Sequence, residues 1–428
     1  MTKVVIIGAG FAGLNAAKVL ANQPGIDVTL VDRENHHVFQ PLLYQVATAG
    51  LSPAEIAAPI RGILSDARNV RVLMAGATEI NHAQRTVATS VGVLNYDYLL
   101  LACGATHAYF GYDEWEIHAP GLKSLSQATE IRARILRAFE SAETTTDVTV
   151  QREPLSFVII GGGPTGVELA GAIGEMSRYT LARDFRKIDP RLARVVLIEA
   201  GPRILPSFNE KLAARAVRDL ESLGVQVWTQ ARVTHIDAGT VQVGAETLRA
   251  GTILWAAGVR ASPLAAALGT SMSIATDQAG RLPVTDTLTL PDDERLFVLG
   301  DLARYTDPAS NSVLPGTADV AMQQGLYAGH CILDDLRKRQ RQPFSYRDWG
   351  HLATVGRSRA LYEAKHLHLS GHLAWWFWLL LHIYRLTGFR NRTSVLVHWA
   401  WSYWTYGRGA RLIVGRNWRQ FGDTDEQT

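Results

Sequence analysis

The sequence predicts an α/β fold of two doubly wound parallel sheets, followed by an amphipathic C-terminal region. Three observations carry this reading. The apolar run Val4-Val5-Ile6-Ile7 leads into Gly8-Ala9-Gly10-Phe11-Ala12-Gly13, and Phe157-Val158-Ile159-Ile160 leads into Gly161-Gly162-Gly163-Pro164-Thr165-Gly166. After each loop a second apolar strand ends in an acid, Asp32 in the first case and Glu199 in the second. The last stretch of the chain changes composition, becoming aromatic and cationic.

Each glycine loop reads as a buried strand, a tight turn and the start of a helix. Glycines permit the turn and let backbone N–H groups approach a pyrophosphate, whose charge sits at the positive helix end. The acid at the second strand's end stands at the spacing of a carboxylate that grips a ribose. One such loop is weak evidence. Two copies, each between strand and helix and each followed by an acid, define two Rossmann-like nucleotide-binding domains. Two dinucleotides in one chain imply an electron relay between them.

The rest of the chain supports the repeat. Tyr98-Leu99-Leu100-Leu101-Ala102-Cys103-Gly104 and Thr252-Ile253-Leu254-Trp255-Ala256-Ala257-Gly258 are apolar strands that stop at a glycine, an internal echo of architecture. Between them a helical stretch runs from Ser126 to Ala142, and Phe39 to Ala47 reads as extended. Leu296-Phe297-Val298-Leu299-Gly300-Asp301 delivers an acid at a strand's carboxyl end, where open α/β sheets bind ligands. The domains are expected at 1–115 with 283–340, at 116–282, and at 341–428.

Composition bounds the function. The chain has 428 residues, 47% hydrophobic and 19% charged, with net charge +3. That small charge argues against a general nucleic-acid binder. The first strand begins at Lys3 or Val4, so no secretory signal peptide is expected. Cys103 and Cys331 are the two cysteines, far apart. They exclude a disulfide framework, an iron–sulfur cluster and a dithiol relay. His36-His37 lacks the further ligands of a zinc site, so no metal is expected.

From Ala364 to Gly422 there is no Asp or Glu, while Lys365, Arg385, Arg390, Arg392, Arg408, Arg411, Arg416 and Arg419 lie there. Trp375, Trp376, Trp378, Trp399, Trp401 and Trp404 accompany them. Leu373 to Tyr384 spans about 18 Å as a helix, short of the roughly 30 Å hydrocarbon core. Val395 to Tyr406 is no longer. Tryptophan and unneutralised arginine suit an interfacial anchor on anionic lipid; the other reading is a homodimer interface. His366, His368, His372 and His382 read as interfacial or cationic groups.

These residues together resemble the type II NADH:quinone oxidoreductases, single-chain FAD enzymes of the membrane surface. Beyond the two loops, the resemblance rests on Phe39-Gln40-Pro41-Leu42-Leu43-Tyr44-Gln45-Val46-Ala47 with Leu51-Ser52-Pro53, on Val167-Glu168-Leu169-Ala170-Gly171, and on Gln323-Gln324-Gly325. Ala353-Thr354-Val355-Gly356-Arg357 and Gly388-Phe389-Arg390-Asn391-Arg392 complete it. It implies that Gly8, Gly10, Phe11, Ala12, Gly13, Asp32, Arg33, Gly104 and Asp301 hold FAD. Gly161, Gly163, Pro164, Thr165, Gly166, Glu199 and Gly258 would hold NADH, with Glu168 near the nicotinamide. Glu199 should favour NADH over NADPH by repelling a 2′-phosphate, and Arg203 could soften that preference. Asp319 stands where the family commonly has Gln, and with Gln323 and Gln324 it is expected at the quinone site, as proton donor or helix cap. Cys103 replaces a family Thr and reads as a packed core residue.

The implied activity is hydride transfer from NADH to FAD and two-electron transfer to a membrane quinone, without proton pumping, at the cytoplasmic face of the inner membrane. Two alternatives remain at this level. One is a soluble NADH oxidase or an NADH-dependent reductase of a small redox protein; the other is a nucleotide-responsive interaction protein.

Overall fold

The computed structural model describes residues 1–147, 152–365, 367–386, 389–405, 407 and 409–414. His366, Gly388, Tyr406, Arg408, Arg416 and Arg419 lie outside the described residues, as do the side chains of Phe389, Arg390 and Ser402. The helices used below are α1 (Phe11–Leu20), α2 (Leu125–Thr144), α3 (Pro164–Glu175), α4 (Ala318–Leu336), α5 (His372–Arg385) and α6 (Phe389–Thr405). The chain divides into two compact units. One comprises Met1–Val38, Ala57–Ala108 and Val259–Trp349; the other comprises Phe39–Ile56, Tyr109–Gly258 and Gly350–Thr428.

The first unit is built on a six-stranded sheet in the order Thr289–Leu290, Asp293–Val298, Tyr98–Leu101, Thr2–Ile7, Ile26–Asp32, Val70–Met74. All neighbours run parallel except the first pair. A parallel strand is buried on both faces, and Thr2–Ile7 shows why its run is continuously apolar. Val4 and Ile6 enter one core with Leu14, Leu20 and Val320, while Val5 and Ile7 enter the other with Leu101 and Leu296. Helices α1 and α4 pack so tightly that a Cβ on Gly325 would stand 2.1 Å from the Ala12 carbonyl oxygen.

The second unit repeats the plan with a four-stranded parallel sheet, Val225–Trp228, Arg194–Ile198, Ser156–Ile160 and Thr252–Trp255. Helix α2 starts at a complete capping box, Ser124 with Gln127. An antiparallel sheet, His351–Gly356, Arg359–Ala364 and Leu367–Gly371, belongs to this unit and leads into α5.

One element departs from expectation. Phe39 to Ala47 is not extended: Gln40–Leu42 forms a 3₁₀ turn with proline at its start, and Leu43–Ala47 continues as α-helix. Proline suits the first helical turn, and Leu42, Leu43, Tyr44, Val46 and Ala47 are all buried.

Candidate functional site

The two glycine loops are built alike. Gly8 has φ +100° and Gly161 φ +111°, a region that costs a side chain dearly. A Cβ would also lie 2.4 Å from the Ala102 oxygen at Gly8, and 2.5 Å from the Ala256 oxygen at Gly161. At Gly13 and Gly166 a Cβ would lie 1.8 and 1.9 Å from the carbonyl oxygens of Gly8 and Gly161. Gly10 and Gly163, in contrast, face nothing within 4 Å. Those two glycines begin α1 and α3, and neither helix has a side-chain cap. The positive ends of the two helices, at Phe11 and Ala12 in one unit and at Thr165 in the other, are thus the places for a pyrophosphate. Pro164 has no N–H to leave over.

The strand-end acids bind the loops in the same way. Asp32 accepts from Ala9 N–H at 2.6 Å and Glu34 N–H at 2.8 Å. Glu199 accepts from Gly162 N–H at 2.7 Å and Gly201 N–H at 2.6 Å. Each carboxylate has further lone pairs, so it can hold its loop and still accept from ribose hydroxyls. The open cradle, uncapped helix and anchored acid fit a dinucleotide in both units. Arg33 is exposed beside Asp32, and Gly104 (φ +68°) and Gly258 follow the strands expected to end there.

Two residues beside these cradles hold backbone in place. His37 is buried, burial lowers its pKa, and its Nδ1 meets the Ala9 carbonyl at 2.9 Å while its ring stands edge-on to Phe11. It braces the first loop. Arg203 donates to the carbonyls of Leu205, Pro206 and Phe208. Its guanidinium holds a turn, so it is not directed to a 2′-phosphate. Cys103 packs against the second core of the first unit, and burial raises its thiol.

In the first unit, the 3₁₀ turn Gly300–Leu302, which carries Asp301, follows the strand Asp293–Val298. Gln324 is buried and accepts from Gly300 N–H at 2.6 Å through Oε1. Gln323 donates to the Arg347 carbonyl at 2.9 Å and accepts from Arg347 N–H at 3.0 Å. Asp319 lies in the first turn of α4, behind the Thr317 cap, where a carboxylate complements the helix dipole. Both amides therefore hold backbone in place.

The second unit contains a cleft with about 700 Å³ of empty space, part of it open to solvent. Tyr44, Gln45, Glu168, Glu175, Thr354 and Arg357 line it with Trp375, Trp378, Trp399 and Tyr403. Its geometry follows from α3. Glu168, Gly171 and Glu175 share one helix face by their spacing. A Cβ on Gly171 would lie 1.8 Å from the Val355 oxygen, so α3 meets the His351–Gly356 strand directly. On either side of that contact, Thr354 N–H bonds Glu168 and Arg357 N–H donates to Glu175 at 2.8 Å. Burial pushes the Glu168 carboxyl up to about 8. It is therefore mostly protonated at neutral pH.

Helices α5 and α6 supply the aromatic wall. Trp378 packs tilted on Trp399 at 5.1 Å and Trp375 on Tyr403 at 5.4 Å, while Arg357 lies 4.2 Å over the Tyr403 ring. The tail is thus two-faced. Trp378 is 3% exposed, whereas Trp404 is 80% exposed, and Trp376, Leu380, Val397 and Trp401 also face out. One half of a sequence expectation is corrected here: of the readings interfacial or cationic, His382 does not take the cationic one. It is stacked on Trp378 at 4.4 Å and hydrogen-bonded to the Trp378 carbonyl, and burial pushes it down to about 4. His368 instead faces Glu363 at 3.4 Å. The aromatic spacing signalled an amphipathic helix, but not that its inner side walls a cleft with Glu168.

Two dinucleotide cradles on this topology are those of the pyridine nucleotide-disulphide oxidoreductases, whose family model matches residues 2–325. A type II NADH:quinone oxidoreductase, Ndh of Mycobacterium tuberculosis, is 40% identical over 96% of this chain and 90% of its own. NdhA of the same organism is 40% identical over 97% and 90%. The chain belongs to the type II NADH:quinone oxidoreductases. The structure of NDH2 from Plasmodium falciparum in complex with NADH matches with TM-score 0.86, covering 97% of this chain and 100% of that one; at 19% identity the likeness is one of fold. Among the described residues no helix is long and apolar enough to cross a membrane.

Proposed function

We propose that the protein oxidises NADH through bound FAD and passes two electrons to a membrane quinone, without pumping protons. Residues 1–115 with 283–340 hold FAD, 116–282 hold NADH, and 341–428 face the membrane. FAD supplies the hydride acceptor for NADH and the two-electron donor for quinone. The chain supplies position and charge. Asp32, Gly10 and the start of α1 bind FAD, His37 braces that loop, and Gln324 sets the turn carrying Asp301. Glu199, Gly163 and the start of α3 bind NADH. Asp319 and Gln323, on α4, are assigned with Gln324 to the exchange of electrons and protons with quinone.

The observation that carries the quinone reading is the aromatic cleft with Glu168. A flat apolar ring suits walls of tryptophan and tyrosine. A carboxyl group at about 8 holds a proton at neutral pH, and reduction of a quinone consumes two. Glu168 is assigned as a proton donor to the reduced ring. The outward face of α5 and α6 is assigned to an anionic lipid surface, on the cytoplasmic side, so that the cleft receives quinone from the bilayer.

The test is anaerobic stopped flow on the FAD-loaded protein. Glu168→Gln should slow flavin reoxidation by a short-tailed quinone at least tenfold and leave flavin reduction by NADH within twofold. Equal loss in both half-reactions would place Glu168 at the nicotinamide instead. Oxidation by O₂ as fast as by quinone would favour an oxidase.

A further inference from the structure

We infer that Glu55 is a positioning residue for the aromatic cleft, acting through helix α6; this rests on the quinone reading of that cleft. Glu55 is buried, 6% exposed, on the short helix Pro53–Ile56. Buried carboxylates are costly unless fully satisfied. Its Oε2 accepts from Ser52 N–H at 2.7 Å, closing the local helix start. Its Oε1 accepts two donors from α6, Ser394 Oγ at 2.8 Å and His398 Nδ1.

Ser394 and His398 lie four residues apart, on one face of α6. One carboxylate oxygen therefore fixes both the rotation and the height of that helix. Trp399 follows His398 directly. Its Nε1–H donates to Gln45 Oε1 at 2.8 Å, and Gln45 Nε2 donates to the Tyr44 hydroxyl at 2.9 Å. All three residues line the cleft. The chain of contacts runs from Glu55 to His398, through one peptide bond to Trp399, and on to Gln45 and Tyr44.

Among the described residues of α6, Leu396, Val397, Trp401 and Trp404 are exposed, and Val395 is a fully buried apolar side chain. The carboxylate clasp, with Val395, is what sets where Trp399 stands. Loosening it should widen the cleft without touching either nucleotide loop. Glu55 itself does not line the cleft, so it acts by position and not by contact.

The experiment is a double-mutant cycle on the full-length, FAD-loaded enzyme with Glu55→Ala, His398→Ala and the pair, alongside Glu55→Gln. The probe is a short-tailed ubiquinone analogue. Each single variant should raise its KM at least fivefold, with kcat changed less than twofold and anaerobic flavin reduction by NADH unchanged. The double variant should be no worse than the worse single, because both break one clasp. Glu55→Gln, which keeps one oxygen to accept from Ser394 and His398 and gives up only the acceptor for Ser52 N–H, should recover at least half of the loss in log KM. Multiplicative effects in the double variant, equal losses in both half-reactions, or an unchanged KM would overturn the assignment. Glu168→Gln measured in parallel separates the two claims. If it impairs quinone turnover while the Glu55 variants do not, the clasp is refuted and the cleft stands. If neither does, the quinone reading of the cleft has failed and the assignment falls with it.

Discussion

Gly171 and Val355 meet backbone to backbone: a single Cβ on the glycine would lie 1.8 Å from the Val355 oxygen. This contact places Glu168 and Glu175 against Thr354 and Arg357, and so creates the cleft. Gly171→Ala should push α3 from the strand. We expect a loss of about 1–3 kcal/mol, read as a fall in thermal midpoint, together with weakened quinone turnover. A variant with unchanged melting and turnover would show that the contact relaxes freely.

The raised Glu168 carboxyl sets a pH dependence. The acid must be protonated to donate, so quinone turnover should fall as pH rises through about 8. Glu168→Gln should remove that limb from a profile taken between pH 6 and 9.5. Stability carries the same sign. The folded state binds the proton more tightly than the unfolded one, so stability declines as pH rises from about 4.5 to about 8. The glutamine variant should lose this decline in chemical denaturation series.

Glu199 is expected to set the preference for NADH. Repulsion of a 2′-phosphate is worth roughly 1–3 kcal/mol, or about 5- to 150-fold in the ratio of kcat/KM values. Glu199→Gln should shrink that ratio and also raise the KM for NADH, since Glu199 anchors Gly162 and Gly201. Arg203→Ala should leave the ratio unchanged, because its donors are committed to three carbonyls. A ratio that moves with Arg203 and not with Glu199 would reverse the assignment.

His37→Ala should weaken FAD binding, by about tenfold for one lost hydrogen bond of about 1.4 kcal/mol, measured by release of FAD fluorescence on dilution. The paired change Cys103→Ser and Cys331→Ser should retain NADH–quinone activity, since no thiol relay is needed. A folded double-serine protein whose flavin NADH no longer reduces would refute this.

Membrane attachment is expected to reside on the outer face alone. Replacing Trp376, Leu380, Val397 and Trp404 with serine should release the protein from anionic vesicles, with turnover on a water-soluble quinone kept within about threefold. Removal of everything beyond Lys365 is a poorer probe, as it also deletes the cleft's aromatic wall. A serine variant that still sediments with vesicles, or one that only changes from dimer to monomer, would point to an interface between copies.

The sequence by itself determined the two nucleotide units. Their signal is local: apolar strand, glycine loop and helix start are contiguous, and the acids Asp32 and Glu199 follow within the same βαβ unit. Gly8, Gly13, Gly161 and Gly166 lie where the backbone leaves no room for a Cβ. What the tertiary structure alone decided is the cleft and its clasp. Glu168 was visible as a helix acid, but its pKa depends on burial against a strand almost 190 residues away. Ser52-Pro53-Ala54-Glu55 has the spacing of a capping box, so one oxygen of Glu55 was legible. Its other oxygen binds Ser394 and His398, more than 330 residues on. Likewise, the pattern of tryptophans gave an amphipathic helix without saying which side faces inward. Burial and long-range hydrogen bonds depend on which segments meet in space, and periodicity within one segment carries no record of its partner.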